Sequence, residues 1–105
     1  MIARLWRGRA DPANAADYAR HVAETVFPSL QNMPGHRGAQ LLRRVVDDQV
    51  EFVAVTFWDS LDDIRQFAGA NIDVAKIEPR AEELLSDCDR FACHYEVAHV
   101  AGGAG

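Results

Sequence analysis

The run from Val50 to Trp58 constrains the fold more than any other segment, because it reads as a strand that is apolar on both sides. One alternate set is Val50, Phe52, Ala54, Thr56 and Trp58, and the other is Glu51, Val53, Val55 and Phe57. A sheet with helices on one side only would carry a polar second set. At about 25 cal/mol per Å² of apolar area, leaving several such side chains in water forgoes several kcal/mol. One helical layer reaches one face, so the second face predicts a second sheet. The simplest source is another copy of the chain, stacked face to face about a two-fold axis as a homodimer.

The elements around this strand follow from local chemistry. Ile2 to Arg9 is a short β-tolerant run closed by Asp11-Pro12. Asp11 is expected to cap a helix that Pro12 opens, and Ala19, Val22, Ala23, Val26, Phe27 and Leu30 then recur at helical spacing. Pro28 has no amide hydrogen and crowds the preceding turn, which predicts a kink or loosening from Glu24 to Pro28 before Pro34-Gly35 ends the helix. Gly38 to Val46 and Val50 to Trp58, joined by Asp47-Asp48-Gln49, read as a hairpin. Ser60 is placed to cap the amide of Asp63 and start a second helix through Leu61, Ile64, Phe67 and Ala68. Pro79 opens a further short helix to Leu85, Asp87 to Asp89 interrupts it, and Phe91 to Val100 is the expected last strand. The order is that of an α+β, ferredoxin-like βαββαβ unit with a four-stranded antiparallel sheet. Residues 1–100 are expected to form one domain and 101–105, Ala-Gly-Gly-Ala-Gly, a flexible tail.

Composition removes several functional classes. Sixteen acidic against eleven basic residues give a net charge of −5, which offers no counterion-release term for nucleic acid. Arg4, Arg7 and Arg9 lie in a strand-like run, where alternation prevents a single basic patch. No run approaches the roughly 18 apolar residues of a membrane span. Cys88 and Cys93, in a chain that opens without a secretion signal, are expected as free thiols of a cytoplasmic protein.

Three segments together resemble a known family. Thr56-Phe57-Trp58-Asp59-Ser60 running into Leu61-Asp62-Asp63-Ile64-Arg65-Gln66-Phe67 is similar to the strand-to-helix signature of the antibiotic biosynthesis monooxygenases. Met33-Pro34-Gly35-His36-Arg37-Gly38 resembles that family's turn after the first helix, and His94-Tyr95-Glu96-Val97 its closing strand. The resemblance implies a dimeric α+β barrel with a pocket between sheet and helices in each subunit. It also implies oxygen insertion into a small, electron-rich aromatic without flavin, haem or metal, and thus no cofactor. A branch of similar fold degrades haem with an asparagine on the first strand, a tryptophan on the second helix and a histidine ligand. Here Trp6 and Phe67 stand at the first two places and Lys76 and Ile77 near the third, with no histidine between His36 and His94, so the haem reading ranks low.

Within that frame His94 is the candidate base, alternating with Glu96 on one strand face; the competing reading is a half-buried cross-strand histidine. Tyr18 flanks the apolar stripe of the first helix and can present its hydroxyl to a pocket. Trp6, Trp58 and Phe67 are candidate walls for a planar ligand, or else core residues. His99 falls on the opposite strand face from His94 and Glu96, so no metal site is expected. Cys93 has no positive partner nearby to activate it, and His21 is expected at the surface. If no turnover occurs, the alternative is a noncatalytic dimeric module that binds a small hydrophobic molecule or serves as a scaffold.

Overall fold

The structure is a computed structural model that describes residues 1–102; the last three residues of the expected 101–105 tail lie outside the described residues. In chain order the elements are β1 (Ile2–Ala10), α1 (Pro12–His21), a π-helical turn (Val22–Val26), α2 (Phe27–Leu30), β2 (His36–Val46), β3 (Gln49–Trp58), α3 (Leu61–Ala68), α4 (Pro79–Leu84), β4 (Asp87–Cys88) and β5 (Cys93–Glu96). The sheet is antiparallel, with β3 between β2 and β1, and with β4 and β5 both on the far edge of β1. This is the expected α+β, ferredoxin-like arrangement, with the fourth strand position shared by two short strands. Among the described residues no helix is long and apolar enough to cross a membrane.

The last strand is shorter than expected and the stretch before it more ordered. Cys93 to Glu96 pairs with Leu5 to Ile2, and β1 begins there, so beyond one further bond from the Val97 amide to the Met1 carbonyl the ladder has no partner. Phe91 makes only an isolated bridge to Val74 and is 62% exposed. Asp87-Cys88 was expected as an interruption but adds to the edge of β1 opposite Arg9 and Gly8.

Helix one loosens where expected: the π-helical turn at Val22–Val26 sits directly ahead of Pro28, whose missing amide hydrogen removes a rung of the helical ladder. The buried positions of this stretch are Ala15, Tyr18, Val22 and Leu30, whereas Ala23, expected on the apolar stripe, faces solvent. Asp11 has the extended backbone of a cap residue, but its carboxylate accepts from the Gln49 side-chain amide rather than from the helix. Ser60 does cap α3, its hydroxyl oxygen accepting from the Asp63 amide at 3.2 Å. Asp47, in the two-residue hairpin turn, sits at φ 54°, the left-handed region that aspartate tolerates better than most. Gly35 is obligatory: its φ is +81°, and a Cβ there would collide with the Asp63 carboxylate at the start of α3.

The even-numbered residues of β1 and β3 face the helices. Phe52 packs in one core cluster with Ala10, Ala15, Tyr18, Val22, Ala81 and Leu84, while Trp58 packs in a second with Leu30 and Ile64. On the other face, Leu5, Val53 and Phe57 are half-buried, and Leu42 and Tyr95 are 51% and 57% exposed. Among the described residues no helix packs on that side.

Candidate functional site

Between the two core clusters the packing opens into a cavity of about 80 Å³, measured as the room open to the centres of water molecules. One water needs roughly 10–15 Å³ by that measure, so several waters or a small ring can enter. Its floor is β1 and β3, through Arg4, Trp6, Ala54 and Thr56. Its roof is the loosened helix, from Tyr18 to Leu30, and its mouth is formed by Phe67 and the segment from Ala75 to Glu78. The bulge of the π-helical turn matters here, because Val22 and Val26, its first and last residues, both line the cavity.

Three of the five expected site residues meet in this cavity. Tyr18 is 2% exposed, its ring tilted against Phe52 at 4.8 Å, and burial pushes its hydroxyl pKa up to about 12. It therefore stays protonated and can donate a hydrogen bond, but it cannot act as a base near neutrality. Trp6 forms part of the floor, fixed by a 2.7 Å hydrogen bond from its indole nitrogen to the Asp89 carbonyl. Phe67 closes the mouth.

The other two lie behind the wall. Trp58 is fully buried in the second cluster, donates to the Thr56 hydroxyl at 2.9 Å and lies near-parallel to Phe67 at 6.2 Å, so it backs Phe67 without reaching the cavity. His94 pairs with Arg4 across β1 and β5, and its Nε2 lies 2.8 Å from Nη1 of Arg4. A guanidinium can only donate, so Nε2 is the acceptor and the ring proton sits on Nδ1, 3.4 Å from the Asp73 carboxylate. The orienting carboxylate is thus Asp73, from the segment before α4, and not Glu96. Burial, with Arg4 beside it, lowers the His94 pKa and keeps the ring neutral.

Sequence reasoning missed the charged side chains of the cavity. Arg4, expected only as one of three strand arginines that form no single basic patch, is 4% exposed and lines the floor. Lys76 stands at the mouth, with its ammonium 5.8 Å from the Phe67 ring centre; the Arg4 guanidinium lies 5.7 Å from that centre. Glu78 also lines the cavity, but its Oε1 is held by His21 Nε2 at 2.5 Å and accepts from the Ala81 amide that starts α4. His21 is consequently half-buried against α4 rather than at the surface. The parity of Arg4 with Trp6 was the available signal: both must face inward if Trp6 does. Among the described residues no group of three His, Cys, Asp or Glu side chains is placed to hold a metal ion.

The family model for antibiotic biosynthesis monooxygenases matches residues 1–71. No curated protein matches the sequence. Among solved structures, a candidate antibiotic biosynthesis monooxygenase from Deinococcus radiodurans aligns over all of both chains at 13% identity and a TM-score of 0.68. The haem degrader MhuD of Mycobacterium tuberculosis, solved with two haems in its active site, aligns at 22% identity over 97% of this chain and all of its own, with a TM-score of 0.63. The monooxygenase from the ActVA-Orf6 gene of Streptomyces coelicolor, in complex with nanaomycin D, aligns at 17% identity over 98% of this chain and 92% of its own, again at 0.63. At these identities the likeness is one of fold.

Proposed function

Because the chain belongs to the antibiotic biosynthesis monooxygenase family, we propose that it is a cofactor-independent monooxygenase acting as a homodimer on a small, flat, electron-rich aromatic such as an anthrone or a quinol. The observation that carries this reading is the aromatic-walled cavity between sheet and helices, with Tyr18 in its roof. A filled core at that place would have favoured the scaffold reading. The ring of the substrate lies against Trp6 and Phe67, and Tyr18 donates to the substrate oxygen that becomes anionic. His94, neutral, with its Nδ1 proton turned to Asp73, takes the substrate proton through Nε2 once the ligand draws Arg4 away.

The chemistry balances without a resident cofactor. The deprotonated substrate gives one electron to dioxygen, the two radicals join as a carbon–oxygen bond, and the resulting hydroperoxide loses water. A CH₂ thereby becomes C=O, with one oxygen atom in the product and the other in water. All four electrons come from the substrate.

The proposed dimer rests on the apolar outer face of the sheet, where Leu5, Val53 and Phe57 are only half-buried and Leu42 is half-exposed. Haem degradation, the activity of MhuD, fits the side chains less well. Among the described residues that line the cavity there is no histidine, cysteine or methionine, and Tyr18, the one axial donor type left, is held protonated by its raised pKa.

Oxygen consumption with a panel of anthrones and naphthols tests the reading. Uptake is expected with at least one of them, falling roughly ten- to a hundredfold in Tyr18→Phe, since a hydrogen bond to a charged group contributes about 1.5–3 kcal/mol. His94→Ala should lower it further at neutral pH. No uptake across the panel by folded protein would leave the noncatalytic binding module standing instead.

A further inference from the structure

We infer that the cavity selects aromatic acids: its ligand carries a carboxylate, or an equally acidic group, that the buried Arg4 and the rim Lys76 hold beside the ring seated on Phe67. This rests on the proposed function and names the chemical class of its substrate.

The argument begins with charge. Removing a guanidinium from water is costly unless it is paired, and Arg4 is almost wholly buried among apolar and aromatic walls. Its partners in the chain are neutral: Nη1 donates to the Ile72 carbonyl at 2.5 Å and to the His94 ring at 2.8 Å. Both hydrogen bonds leave from that one nitrogen, and among the described residues Arg4 forms no ion pair. The other donors of the fork remain for a ligand, in the geometry that suits a carboxylate. Burial lowers the Arg4 pKa, with Asp73 only partly opposing it.

The remaining charges around the site sharpen the sign. Asp73 is largely exposed and lies on the far side of His94. Glu78 is engaged by His21 and by the first turn of α4. Lys76 is exposed at the mouth, in no ion pair among the described residues, and sits over the same ring as Arg4. Two cations therefore bracket Phe67, one deep and one at the rim, with no carboxylate left free on the cavity side to neutralise them. A neutral hydrocarbon leaves Arg4 without a counter-charge, whereas an aromatic acid supplies it.

The test compares 2-naphthoate with its methyl ester, which keeps the ring and removes the charge, by isothermal titration of the intact protein. The acid is expected to bind at least tenfold more tightly. Arg4→Met should abolish that preference, and Lys76→Met should narrow it several-fold in low salt and have little effect in high salt, because the exposed lysine is screened and the buried arginine is not. If Arg4→Met does not fold, the preference in the wild type and its loss of salt sensitivity in Lys76→Met decide the matter alone. Equal affinity for acid and ester, beside oxygen uptake on neutral naphthols, overturns the inference and leaves the monooxygenase reading intact. Binding of neither compound, with no uptake, overturns both.

Discussion

The two faces of β3 are nearly equal in apolar content and unlike in what is packed on them. The even face meets helices and is irregular: two tight clusters, around Phe52 and around Trp58, with a cavity between them that admits a buried cation. The odd face, with Val53, Val55 and Phe57, is regular and among the described residues carries no helix. Hydrophobicity alone does not tell a helix-covered interior with a cavity from an open sheet face. What separates them is the layer laid on top: a helical layer with a bulge leaves room for a ligand, whereas a flat strand array suits only another flat array.

The sharpest way to break this comparison is Trp58→Ala. On the helix-covered face Trp58 is fully buried beside Leu30 and Ile64, so its truncation is expected to cost about 3–5 kcal/mol in urea denaturation at fixed protein concentration. A cost near that of a surface substitution would mean that this face is no better packed than the other. A smaller effect on folding is expected from Leu42→Glu on the uncovered face, where Leu42 pairs with Val53 and is half exposed. Its circular dichroism should match the wild type, while sedimentation at micromolar concentration shifts from two copies to one. A wild type that sediments as a single copy would remove the distinction altogether.

The smallest expected effect is on pH dependence and tests only the covered side. Burial lowers the pKa of both His36 and His94 from the ordinary 6.5. Below 6.5 the unfolded chain takes up protons that the folded chain refuses, so stability is whole above that value and falls as pH drops through it. His94→Gln should flatten this slope between pH 7 and 5, a window that lies above the carboxylate range. An unchanged slope would mean that His94 is not held neutral by its surroundings.

Periodicity and punctuation made most of the fold legible in the sequence: the hairpin at Asp47, the Ser60 cap and the loosening before Pro28 each depend on neighbours within a few residues. The site was legible only where parity sufficed. Tyr18 and Trp6 follow from the stripe and the strand they sit on. Trp58 follows the same parity, yet it stands past the cavity at the strand end, where Leu30 and Ile64 close over it. The pairing of His94 with Arg4 depends on β5 joining β1, a contact across 90 positions, and its support by Asp73 on the course of an irregular segment. Neither has a local signature, and Arg4 was set aside with Arg7 and Arg9 because strand alternation prevents a single basic patch.

The π-helical turn at Val22–Val26 carries one residue more per turn than its neighbours. Losing that residue would close the turn to ordinary α-helical spacing and withdraw the bulge with which Val22 and Val26 line the cavity. The roof can thus be re-tailored by single-residue insertion or loss, leaving the strand register beneath it intact. The size of the cavity and the make-up of the outer sheet face are in this way open to separate adjustment along one short chain.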